Sequence, residues 1–150
     1  MHLEVDALVG ADHARAAARL GKVVEKAVGE VDLTLPQYRM LAHLAGGTSA
    51  ASVLAGSLAV SKPSLTALAD GLVARGLVER HAAEGDRRRV DHVLTSAGQE
   101  ALDAADAAVQ ARLDGLLLHL PRGARRRAVE GLGLWRTALD AARNERWGAR

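Results

Sequence analysis

Apolar residues recur at helical spacing in six stretches of the chain, and the stretches are separated by clear stop and start signals. From about Ala7 to Val28, the residues Leu8, Ala16, Leu20, Val23, Val24 and Ala27 fall on one stripe, which predicts a long first helix beginning near Asp6 and ended by Gly29. Thr34 to Gln37 is a T-x-x-Q capping box with Pro36 in the first turn, and Tyr38, Leu41, Leu44 and Ala45 form the apolar face of a second helix closed by Gly46 and Gly47. Thr48 or Ser49 then opens a short third helix through Val53, Leu54 and Leu58, which breaks at Val60. Ser61 caps a fourth, with Lys62 and Pro63 in its first turn and Leu65, Leu68, Ala69, Leu72 and Val73 on its buried side. Two helices so close in sequence form a helix-turn-helix.

The pattern then changes period. Arg75 followed by Gly76 stops the fourth helix, the glycine supplying a left-handed residue, and Leu77 and Val78 begin an extended segment that returns as a hairpin. Gly85, Asp86, Arg87, Arg88 and Arg89 are expected at its tip, where cations stand clear of any core that would desolvate them. Ser96 to Gln99 is a second capping box, S-x-x-Q, that starts a long helix through Leu102, Ala105, Val109, Leu113, Leu116 and Leu117. After Pro121 a last helix runs from about Gly123 to Asn144 with Val129, Leu132, Trp135 and Leu139 on one side. The fold class is mainly α with a small β-hairpin wing: a winged helix-turn-helix over residues 33–95, flanked by helical regions 1–32 and 96–150. The flanking helices carry more apolar surface than so small a core can cover, which predicts a homodimer.

Composition narrows the function. A chain of 150 residues supports one domain, and with no Phe and only Tyr38, Trp135 and Trp147 as aromatics the core is built from Leu, Val and Ala. The absence of cysteine excludes disulfides, thiolate zinc and thiol redox sensing, and agrees with a cytoplasmic setting. No secretory or membrane-spanning stretch is evident. The net charge of +2 is too small for a global basic field, but it is unevenly spread: −1 over residues 1–60, +1 over 61–95 and +2 over 96–150, with clusters at Arg87 to Arg89 and Arg125 to Arg127. The second cluster sits early in a helix, against the macrodipole, and reads as a solvated face. No P-loop, nucleophile elbow, dinucleotide fingerprint or catalytic carboxylate pair occurs, so neither an enzyme nor a cofactor is expected. The histidines have no metal-ligand spacing, and three aromatics are too few for base stacking on single strands. His81 and His92 are expected to face each other across the hairpin.

The segments LTLPQYRMLAHLA, SVLAGSLAVSKPSLTALADGLVARGLVER and DRRRVDHVLTSAG, in that order between about Leu33 and Ala105, resemble the MarR family of bacterial transcriptional regulators. The family's wing signature, D-x-R and then, after five residues, L-T, is met by Asp86, Arg88, Leu94 and Thr95. The resemblance implies a homodimeric regulator, commonly a repressor, of a pseudo-palindromic operator, released by a small anionic or phenolic effector. It also implies that an aspartate orients the wing arginine, so Asp70 or Asp86 is expected to hold Arg88. Independently, the free side of the fourth helix, with Ser61, Lys62, Pro63, Ser64, Thr66 and Ala67, suits double-stranded DNA in the major groove. Arg88 suits the minor groove, with Arg87 and Arg89 on phosphates. His13, Arg15 and Arg19 on the first helix, with Tyr38 and His43 on the second, are candidates for an effector cleft. Leu3, Val5, Leu8, Val9, Leu116, Leu120, Leu132, Trp135 and Leu139 are candidates for the dimer interface. The second reading is a winged helix serving only as a protein-interaction or dimerisation module, whose binding would lack the steep salt dependence of duplex recognition.

Overall fold

The computed structural model describes residues 8–47 and 50–148. Six helices and one hairpin follow the order α1 (Ala11–Gly29), α2 (Leu35–Ala45), α3 (Ala51–Leu58), α4 (Lys62–Ala74), β1 (Val78–Ala83), β2 (Asp86–Leu94), α5 (Ser96–Leu117) and α6 (Arg122–Gly148). Most starts and stops lie where capping chemistry puts them. Thr34 accepts from the Gln37 amide while the Gln37 side chain takes the Thr34 amide, and Ser61 accepts from the Ser64 amide. Gly76, at φ +70°, ends α4 as expected and turns the chain into β1.

Three boundaries differ from the sequence reading. α1 begins at Ala11, since Gly10 is extended and its amide donates to His13 Nδ1 of the first turn at 3.0 Å; Asp6 lies outside the described residues. α3 begins after Ala50, which is extended and bridges to Asp91 of β2, while Thr48 and Ser49 lie outside the described residues. The cap of α5 is Thr95, one residue before Ser96, because Thr95 Oγ1 accepts from the Gly98 amide and Gln99 turns instead to Asp103. Thr95 Oγ1 also donates to the Gly76 carbonyl at 2.7 Å, and its amide donates to the Leu77 carbonyl, so the start of α5 is pinned to the end of α4.

One core joins α2, α3, α4 and the hairpin base to the facing sides of α1 and α5. Met40, Leu41, Leu54, Leu72, Val28 and Val78 are its largest fully enclosed side chains. Of the α1 stripe only its last turns reach this core: Val24 packs at the edge, Ala27 and Val28 are buried, and residues 11–22 are exposed. The rest of that stripe has no cover within the chain. α6 has still less, with Leu132, Leu134, Trp135 and Leu139 between 46% and 72% exposed. Among the described residues no helix is long and apolar enough to cross a membrane.

Candidate nucleic-acid interface

α4 turns Leu65, Ala69 and Leu72 inward and leaves Ser61, Lys62, Pro63, Ser64, Thr66, Ala67 and Asp70 in solvent. This split follows from the 3.6-residue period. Its N-terminus is tightly organised: Ser61 Oγ donates to Ser64 Oγ at 2.8 Å, and Thr66 Oγ1 donates to the Lys62 carbonyl at 3.1 Å. The Thr66 hydroxyl thus keeps its acceptor lone pairs, and its methyl, for an incoming base edge.

The wing is an antiparallel pair in the register Val78↔Leu94, Arg80↔His92 and Ala82↔Val90, after which the pairing jumps to Ala83↔Asp86. The turn itself is Glu84 and Gly85, the glycine at φ +79°. Arg87, Arg88 and Arg89 therefore occupy a bulge on β2 rather than the tip, three residues for which β1 offers no partner. All three are exposed. The same register sets His81 opposite Asp91 and His92 opposite Arg80, so the two histidines do not face each other. His92 is buried at the base of the hairpin, and His81 bonds Glu79 in solvent.

The aspartates are used differently from the expectation. Asp86 Oδ1 accepts from the Arg88 backbone amide at 2.9 Å and so shapes the bulge, without touching the guanidinium. Asp70 pairs with Arg80 of β1 at 2.6 Å. Arg80 is the residue that the sequence reading missed. The signal was present: on a strand, i and i+2 share a face, so Arg80 lies on the face of buried Val78, where a cation needs a partner. Arg89 stands 3.9 Å from Asp91. Among the described residues, the side chains of Lys62, Arg87 and Arg88 have no such partner. A cleft of about 360 Å³ separates α3, α4 and the wing, and Ser52, Lys62, Thr66, Arg80, Arg88 and Arg89 line it. A groove edged by unpaired cations, beside an exposed helix N-terminus, is suited to a phosphodiester backbone.

The five candidate effector residues do not converge. His13 caps α1, Arg15 pairs with Asp12, and Arg19 is exposed. Tyr38 is half-buried and donates to Asp106 of α5 at 2.7 Å; burial and then that hydrogen bond push its hydroxyl well above the ordinary phenol range. His43 is also half-buried, and burial, followed by the nearby Arg143 and Arg39, lowers its pKa against a partial opposing pull from Asp140. Tyr38 and His43 thus serve separate contacts of α2, one with α5 and one with α6. Neither lines the cleft beside the wing or the shallower one between α2, β2 and the start of α5.

Comparison with known proteins agrees with this architecture. The MarR family matches residues 31–89. The transcriptional repressor CouR, in a structure bound to a 23-mer DNA duplex, is 27% identical, with 92% of this chain and 99% of that one covered at a TM-score of 0.69. MarR from E. coli in its apo form is 22% identical over 83% of this chain and 94% of that one, at a TM-score of 0.72. CouR from Rhodococcus jostii RHA1 bound to p-coumaroyl-CoA is 23% identical over 79% and 85%, at a TM-score of 0.62. No curated protein matches the sequence significantly. With the helix-turn-helix, the bulged arginine wing and the family match all falling on the same segment, the chain belongs to the MarR family of winged helix-turn-helix transcriptional regulators.

Proposed function

We propose that this regulator is a cytoplasmic homodimer that reads double-stranded DNA at a pseudo-palindromic operator and represses transcription there. The observation that carries the reading is the set of unpaired cations, Lys62, Arg87 and Arg88, around the exposed start of α4. α4 enters the major groove, with Ser61, Pro63, Ser64 and Ala67 permitting close approach and Lys62 and Thr66 contacting phosphate or base edges. Arg88 enters the adjacent minor groove, and Arg87 and Arg89 contact phosphates. CouR, bound to duplex in its own structure, supports the same use of this fold. Residues 1–32 and 96–150 supply the dimer contacts. The bare faces of α5 and α6, with Leu116, Leu120, Leu132, Trp135 and Leu139, and the exposed Leu8 and Val9 ahead of α1 meet their counterparts in a second copy; Leu3 and Val5 lie outside the described residues. A small anionic or phenolic effector, as the p-coumaroyl-CoA complex of CouR suggests, releases the operator by favouring a dimer whose two α4 helices no longer fit it.

The test is a gel shift of the purified protein on the duplex upstream of its own gene, with unrelated competitor, at two salt concentrations. A complex that survives competitor and weakens with salt is the expected result. Absence of a specific complex on that duplex and across a genomic fragment library would favour the interaction-module reading.

A further inference from the structure

Most cations of the interface stand free, but Arg80 does not. It leaves β1 on the face that looks toward α4, and one guanidinium nitrogen reaches both the Asp70 carboxylate at 2.6 Å and the Thr66 main-chain carbonyl at 3.4 Å. Thr66 and Asp70 are four residues apart, on successive turns of α4. Arg80 thus spans a full turn of that helix from the hairpin. With about a third of its own side chain and over half of Asp70 exposed, the pair contributes little to folding stability, because solvent screens it. Its geometric effect is larger than its energetic one.

We infer that Arg80 is a positioning residue that locks the wing to α4, so that the two DNA-reading elements meet adjacent grooves in one fixed relation, and that Asp70 holds Arg80 away from phosphates. This rests on the proposed duplex reading. Two consequences separate the lock from the alternative that Arg80 is one more phosphate contact. A phosphate contact adds to specific and non-specific binding alike and to the salt slope, whereas a lock adds only where both elements must fit at once. Further, Asp70 is a carboxylate at a DNA-facing surface, so simple electrostatics predicts that removing it tightens all binding. The lock predicts instead a loss of discrimination.

The experiment compares wild type, R80A, R80K and D70N for binding to operator and to unrelated duplex over a salt series, with amide exchange followed in β1 and β2. Expected results are a fall of about tenfold in the operator-to-unrelated ratio for R80A and D70N, within the range of pairwise couplings. The salt slope of R80A should equal that of wild type, and exchange in the wing should quicken. R80K, which keeps the charge but loses the planar fork, should resemble R80A. A slope lowered by about one in R80A would mark Arg80 as a direct phosphate ligand and overturn the lock, as would an unchanged ratio in D70N. If wild type binds no duplex, the functional reading fails, and the exchange data alone decide whether the wing is tethered: unchanged exchange in R80A overturns that too. Thermal melting of each variant separates all of these outcomes from misfolding.

Discussion

Gly98 is the residue with least freedom. A Cβ built there would collide with the Leu77 carbonyl oxygen and crowd Leu94, and the first is backbone that cannot rotate away. Gly98→Ala should therefore destabilise the fold by about 3 kcal/mol, the upper end of overpacking costs, seen as a lower urea midpoint with unchanged slope. His43 makes a second prediction. Its pKa is held below the ordinary 6.5, so the unfolded chain takes up its proton first as pH falls. Its contribution is whole above 6.5 and is lost between there and its depressed native value, and in His43→Gln stability measured across that window should fall less. Arg88→Ala should reduce the slope of log affinity against log salt by about one, with operator and unrelated duplex affected together if its contact is to phosphate. A loss confined to A·T-rich sites would instead fit insertion in a narrow minor groove.

Elements differ in how far the sequence disclosed them. α2 and α4 were legible at both ends because their caps are local chemistry: Thr34 with Gln37, Ser61, and Gly76. The α3 to α4 junction was not, because its left-handed residue is Ala59, at φ +55°, where the usual glycine signal is missing. Thr95 and Ser96 are adjacent and equally able to cap, and only the tertiary bond from Thr95 to Gly76 decides between them. The wing arginines were found by composition, but their bulge depends on register, which periodicity does not fix in a short polar hairpin. The Asp70 to Arg80 pair needed the fold, since it joins residues on two different elements. α6 is the element with the clearest unmet need, about 40 Å of helix with its apolar stripe bare. Replacing Trp135 and Leu139 together by Ala should dissociate the dimer at micromolar concentration, with each buried anchor contributing about 2 kcal/mol; sedimentation over a dilution series reads the change.

At the scale of the whole molecule, two copies of α4 must meet successive major grooves on one side of the duplex, about 10 bp or 34 Å apart. Inserting 5 bp between half-sites turns one of them to the far side. Operator affinity should then fall to the non-specific level, a loss of about a thousandfold or more in a fluorescence anisotropy titration. An operator that tolerates the insertion would mean that each subunit binds alone.

The pinning of α5 by Thr95 bears on that spacing. α5 has 22 residues, so it is an arm about 33 Å long whose fulcrum is fixed to the Gly76 and Leu77 carbonyls at the end of α4. A tilt of about 5° there moves the far end by about 3 Å, and, with the far end held, swings the winged helix by the same angle. A lever of this ratio makes the distance between two reading heads sensitive to small adjustments where the arms of two subunits cross.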